Sequence, residues 1–218
     1  MNNYYSNNAS IKYYEKNRFK INHLYKSEKN FFLSKTKKSK SFLDLGCAIG
    51  NFVNIISEIK KKKFQYLGLD NQTKLIKIAK KKYPNYDFNL IKDHKFLIKK
   101  KYDFVFSLGV LHHVKDWKSY ILSMKKSSKK YLLFDVRLTD GKTINSIKQF
   151  QKITFGKKWD GHSKIRYITI NKFDFHKFLK KNFKNYKIHK KEYLHKVGKG
   201  YVGVYKKVIM TTILCEKN

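Results

Sequence analysis

Two glycines four residues apart, Gly46 and Gly50, separate a short apolar run, Phe42–Leu45, from the start of an amphipathic one, Asn51–Ile59. Strand, glycine-bearing turn, helix is an order that binds nucleotide-like ligands. Glycine allows a tight turn and close backbone approach, and the helix start offers unsatisfied N–H groups at the positive end of its dipole. The spacing Gly46-x-x-x-Gly50 differs from the G-x-G-x-x-G of a dinucleotide site, and no lysine follows Gly50, which excludes a P-loop. Asp70 ends a second apolar run twenty residues beyond Gly50, where a carboxylate can accept both hydroxyls of a ribose. Asp93 follows a third run. Further along, His112 and His113 are two adjacent groups able to act as bases near neutral pH. Arg137 can grip an anion through two parallel N–H bonds. Trp159, Asp160 and His162 set an aromatic wall, an acid and a base around the turning Gly161. The two cysteines, Cys47 and Cys215, make neither a disulfide framework nor a metal-ligand spacing, so no metal is expected.

The elements that must position these groups follow from apolar periodicity. Residues 41–45, 65–70, 86–91, 102–108 and 131–136 read as buried strands. Helical faces alternate with them: Phe52, Val53, Ile55 and Ile56, then Leu75, Ile76 and Ala79, then Trp117, Tyr120, Ile121 and Met124. This alternation predicts an α/β fold with a doubly wound, mostly parallel seven-stranded sheet. Residues 186–194 and 207–215 supply its closing antiparallel pair. The spacing of Tyr14, Phe19, Leu24 and Phe31 predicts an N-terminal helical segment over residues 1–40. In it Tyr13, Tyr14, Arg18, Tyr25 and Glu28 are candidates for a lid. The main domain spans 41–218. It contains an insert at about 138–170, where Ile144, Ile147, Phe150 and Ile153 predict a helix, and Phe175, Phe178, Leu179 and Phe183 predict another after it.

FLDLGCAIGNF (42–52) resembles the first motif of the class I S-adenosylmethionine-dependent methyltransferases. YLGLD (66–70), NLIKDHKF (89–96), DFVFSLGVLHHV (103–114) and YLLFDVR (131–137) resemble its later motifs in the same order, and KKVIMTTILCEK (206–217) fits its closing strand. The resemblance covers about residues 41–137. It implies S-adenosylmethionine as cofactor, with Asp44, Gly46, Cys47 and Gly50 forming the loop around the methionine moiety, whose carboxylate approaches the helix start at Asn51. It implies Asp70 on the ribose diol with Asn71 beside the adenine, and Asp93 and His94 at the adenine amino group. Ser107 and Leu108 would line the far side of the cofactor. The family often has glycine where this chain has Ala48, which implies a tighter loop. The acceptor would sit over the C-terminal strand edge, with His112, His113 or His162 as a base for a protonated acceptor. Arg137, Trp159 and Asp160 would then bind substrate. The family commonly shows a similar LHHV run in which one histidine packs against loop and helix.

Composition sets the remaining bounds. A chain of 218 residues, 41% hydrophobic, can bury one substantial core. It has no apolar run long enough to span a membrane, and its start, MNNYYSNN, has no apolar core of the secretory kind, so a cytoplasmic protein is expected. The net charge of +36 suggests a polyanion partner. Yet of the 51 basic residues only Arg18, Arg137 and Arg166 are arginine, and the lysines are scattered, as in an AT-biased coding sequence. No RNA-binding module is visible, so nucleic acid is not the favoured partner. The leading expectation is a methyltransferase acting on a small-molecule or glycan-precursor acceptor, at oxygen. The competing readings are an RNA or protein methyltransferase using the basic surface, and a non-catalytic nucleic-acid-binding protein on the same fold. The intact Gly46, Gly50 and Asp70 speak against the last.

Overall fold

Side chains on successive residues of a strand point to opposite faces, so a run that is apolar throughout needs cover on both sides. A computed structural model, describing residues 8–91, 100–154 and 158–218, shows that arrangement. Strands β1 (Ser41–Leu45), β2 (Gln65–Asp70), β3 (Asp87–Leu90), β4 (Tyr102–Ser107) and β5 (Ser128–Thr139) run parallel in the order β3-β2-β1-β4-β5. Helices α1 (Asn8–Lys16) and α2 (Lys26–Lys38) precede them. Between and after the strands lie α3 (Phe52–Lys60), α4 (Thr73–Lys82), α5 (Trp117–Ser127) and α6 (Lys172–Asn182). On one face, α2, α3 and α4 bring Phe32, Ile55, Ile56 and Ala79 against Phe42, Phe104 and Phe106. On the other, α5 and α6 bring Ile121, Met124 and Phe175 against Leu43, Leu45, Val105 and Phe134. Each such buried Phe, Leu, Ile, Val or Met side chain contributes roughly 1.5–3 kcal/mol.

The insert departs from expectation. Residues 144–153 form no helix. They contain β6 (Phe150–Lys152), which pairs with β7 (Lys164–Arg166), while β8 (Ile170–Asn171) adds to the end of β5. The large sheet closes through β9 (Tyr186–Lys196), at the edge, and β11 (Lys207–Lys217), antiparallel to both β5 and β9, as the sequence predicts. Between them β10 (Tyr201–Val202) reaches back to pair with β6, making a small sheet of order β10-β6-β7. A buried amide fastens this unit. Gln149 Nε2 donates to the Tyr167 carbonyl and to Thr169 Oγ1, and the Tyr201 hydroxyl donates to Gln149 Oε1. One further boundary shifts: β5 runs from Ser128 to Thr139, longer at both ends than the expected 131–136. No helix among the described residues is long and apolar enough to cross a membrane.

The strand order reverses beside β1. The chain moves outward through β2 and β3, then returns to place β4 on the other flank of β1. At such a switch point the loops after adjacent strands diverge and leave a crevice at the carboxyl edge. Gly50 helps close the β1–α3 turn there at φ +79°, and a Cβ on it would lie 2.7 Å from the Phe88 ring of β3. Gly50→Ala combines a left-handed backbone with a clash against a buried ring. It is expected to destabilise the domain by about 2 kcal/mol or more in urea denaturation. A loss below about 0.5 kcal/mol would show that the turn is not held in this form.

Candidate active site

A cavity of about 690 Å³ occupies that crevice, within the size range of small-molecule sites. Its floor is the β1–α3 loop, where Gly46, Cys47, Ala48 and Ile49 line the wall. Ala48 adopts φ +48°, a conformation glycine takes with less strain. Its N–H donates to Asp70 Oδ2 at 2.9 Å, and the Gln72 N–H donates to Asp70 Oδ1 at 3.0 Å. Burial pushes the Asp70 carboxyl up, and these backbone bonds pull it back. A carboxylate has about four acceptor positions, so the pair of backbone donors leaves room for others. Beside it, Gln72 donates through Nε2 to Asn71 Oδ1, while its buried Oε1 has no hydrogen-bond partner among the described residues. An acceptor of that kind, orphaned on the cavity wall, fits a ligand that brings a donor.

The N-terminal segment roofs the cavity with Tyr13, Tyr14, Asn17, Arg18 and Tyr25. Asn51, at the start of α3, holds it: Nδ2 donates to the carbonyls of Tyr14 (2.5 Å) and Asn17 (3.0 Å), and Lys82 Nζ donates to Oδ1. Arg18 Nη2 lies 2.8 Å from both oxygens of the fully buried Glu28, and Nη1 donates to the Leu108 carbonyl at the end of β4. The guanidinium also sits 5.1 Å over the Tyr25 ring.

The back wall carries Leu108, His112, His113 and Arg137. Asp135, fully buried, accepts the Gly109 N–H at 2.5 Å and forms an ion pair with Arg137. His113 Nδ1 is 2.6 Å from the Arg166 carbonyl. A carbonyl only accepts, so Nδ1 carries the proton and Nε2 the lone pair. Burial lowers the His113 ring to about 4, against the Arg166 bond that favours the cation. Burial and then the neighbouring His113 push His112 well below the usual imidazole range, and its buried Nδ1 has no hydrogen-bond partner among the described residues. The insert completes the wall with Ile147, Phe150, His162, Lys164, Ile165 and Arg166.

Of the residues singled out in sequence, the structure brings Gly46, Cys47, Asn51, Asp70, Asn71, Leu108, His112, His113, Arg137 and His162 to one cavity. It does not bring five others to the wall. Asp44 turns toward the α3 side, where the Tyr66 hydroxyl donates to it at 2.6 Å. Gly50 packs against Phe88. Ser107 Oγ donates to the Leu45 carbonyl and lies 3.2 Å from the Tyr120 hydroxyl. Trp159 stacks on Phe150 and donates to the Ser163 carbonyl. Asp160 shapes its own turn, accepting from His162 N–H and from Ser163 N–H and Oγ–H, bonds that hold its carboxyl down near about 2. Asp93 and His94 lie outside the described residues. Sequence reasoning missed Gln72, Tyr120, Phe150, Lys164 and Arg166. One signal was present: all three arginines of the chain line this cavity.

A doubly wound sheet with a glycine loop after β1 and an acid at the end of β2, both on one crevice, defines a Rossmann-like nucleoside-binding domain. The chain belongs to the methyltransferase domain family, whose model matches residues 14–177, and is a class I domain of the S-adenosylmethionine-dependent type. It is 33% identical over 131 residues to protein 235L of Invertebrate iridescent virus 6, a predicted methyltransferase, covering 55% of this chain and 47% of that protein. The chain thus spans about half the length of the curated relative it matches. Its fold is similar to TehB from Haemophilus influenzae, with TM-score 0.58 and 16% identity over 86% of this chain and 62% of that one. It is also similar to the N-terminal domain of EvdMO1, solved in the presence of SAH and D-fucose. There the TM-score is 0.60 with 13% identity, over 87% of this chain and 81% of that one.

Burial pushes the Asp44 carboxyl up to about 7, with the Tyr66 hydroxyl opposing. Its ordinary value is 3.8, so between about 4 and 7 the folded state binds more protons than the unfolded, and stability falls as pH rises through that window. Asp44→Asn keeps an acceptor for Tyr66 without the charge. It is expected to raise the thermal midpoint by about 3 °C or more at pH 8, with the gain vanishing near pH 4. A gain that grows on acidification would contradict this account.

Proposed function

We propose that the domain methylates a small acceptor, a small molecule or glycan precursor, at an oxygen, inside the cavity between the β1–α3 loop and the insert. The observation that carries this is the convergence of the glycine loop, Asp70 and the imidazole of His113 on one cavity roofed by residues 13–25. We assign the 46–49 loop to the methionine moiety, Asp70 to the ribose diol, and Asn71 and Gln72 to the adenine. Asp93 and His94 retain the adenine role that the resemblance implies for them. When bound, S-adenosylmethionine supplies a methyl group on a positively charged sulfur, already activated for transfer.

The protein's part is alignment, exclusion of water and handling of one proton. The roof acts as the lid in this reading, held down by Asn51 and Arg18. His113 is the base. Its Nδ1–H is committed to the Arg166 carbonyl, so Nε2 takes the hydroxyl proton, and its lowered pKa keeps it unprotonated at neutral pH. His112 orders the wall behind it. A roofed cavity suits a small acceptor better than a nucleic-acid strand, and the EvdMO1 structure, solved in the presence of D-fucose, supports a sugar-like one.

Calorimetry tests the cofactor assignment. Wild-type protein is expected to bind S-adenosylhomocysteine, and Asp70→Ala to weaken that binding tenfold or more; absence of binding by the wild type would overturn the reading. Nitrogen NMR tests the base. His113 should appear as the Nδ1–H tautomer and titrate near pH 4, whereas an Nε2–H tautomer or a midpoint near 6.5 would remove it from that role.

A further inference from the structure

We propose that the acceptor carries an anionic group, a carboxylate or a phosphate monoester, and that Arg166 with Lys164 on β7 receives it. This rests on the reading of the cavity as a methyl-transfer site. Arginine is scarce in this chain and lysine is the default cation, yet Arg18, Arg137 and Arg166 all line the same cavity. A planar guanidinium fork matches an oxyanion in a way that an ammonium does not, so its use here marks positions where that geometry matters. Two of the three are explained. Arg18 is neutralised by Glu28, and Arg137 by Asp135, both inside the protein.

Arg166 has no such partner. Its Nη1 donates to the Asn145 carbonyl at 3.1 Å and lies 3.5 Å from Asn145 Oδ1, both neutral acceptors. Among the described residues no carboxylate lies within ion-pair distance of Arg166 or of Lys164, whose Nζ sits 4.9 Å from the Phe150 ring centroid. The one acid on the described wall, Asp70, belongs to the end of β2 on the cofactor side. The insert side therefore presents two uncompensated cations along the cavity wall, Arg166 half-buried and Lys164 exposed, with no acid beside them to cancel their charge. They flank Ile147, Phe150 and Ile165, an apolar wall for the body of the ligand. The Arg166 carbonyl also holds His113, so the anion anchor and the proposed base share one residue.

Three arginines give three Nε–Hε signals, which makes the test direct. Protein with and without S-adenosylhomocysteine is titrated with inorganic phosphate and with benzoate, and with benzamide as the neutral match to benzoate. The Arg166 signal, assigned from Arg166→Lys, is expected to shift saturably with at least one anion. The Arg18 and Arg137 signals should move little, and benzamide should have no effect. The preferred anion distinguishes a phosphate from a carboxylate acceptor. Arg166→Gln or Lys164→Gln should weaken the anion tenfold, while Lys62→Gln, on an exposed turn, should leave it unchanged. Anions that move no arginine signal, or all three alike, or that Lys62→Gln weakens equally, would overturn the proposal. So would benzamide matching benzoate. Failure of S-adenosylhomocysteine to bind would instead sink the methyl-transfer reading, and the titration without it would still report on Arg166.

Discussion

The ion pair of Arg18 with Glu28 is the contact that turns a crevice into a chamber. Glu28 is fully buried on α2, and Arg18 reaches it while also donating to the Leu108 carbonyl at the tip of β4. The N-terminal segment, the first layer of helices and the strand edge bearing the histidines are thus joined through one guanidinium. Arg18 itself adopts φ +56°, which costs of order 1–2 kcal/mol for a residue with a side chain. A buried pair of this kind adds little net stability against an apolar alternative, but losing one partner strands a charge, at about 3–5 kcal/mol. What it joins is the N-terminal segment to α2 and to the end of β4.

The N-terminal segment is held from below as well. The Asn51 side chain meets the carbonyls of Tyr14 and Asn17, and Lys82 fills its remaining acceptor. A residue expected near the methionine carboxylate therefore has its amide committed to the roof. Asp70 closes the floor in a similar way, because its carboxylate ties the left-handed turn at Ala48 to the start of α4 through Gln72. Loop, acid and roof form one connected polar framework.

The parallel strands, the glycine turn and the closing strand pair were legible in the sequence, because each depends on local periodicity or on backbone freedom at a named glycine. The insert was not. Ile144, Ile147, Phe150 and Ile153 repeat every three residues, which reads as a helical face. Yet the partners of β6 lie at Lys164–Arg166 and Tyr201–Val202, too far along the chain for local periodicity to reveal them. Side-chain direction was a second blind spot. Asp44 belongs to the right motif, but its place on β1 turns it to the Tyr66 side, within a core where burial raises its pKa. Asp160 likewise has the right chemistry in a turn that consumes it.

The charge of the chain gains meaning only when position is added to it. Scattered lysines on a surface are screened over about 8 Å at physiological ionic strength and commit the protein to no partner. The arginines are different because two are matched by acids inside the fold, Glu28 and Asp135, each of which would be a costly buried charge alone. Among the described residues, that matching leaves the cavity wall with a single acid at the β2 end and two unmatched cations at the insert end. A cavity so polarised orients a ligand pair before any contact is complete. The side with Asp70 favours hydroxyl donors and positive charge, and the side with Arg166 favours anions. Methyl transfer needs the acceptor atom in line with the sulfur–methyl bond, and fixed charges of opposite sign at the two ends favour that alignment of the two ligands.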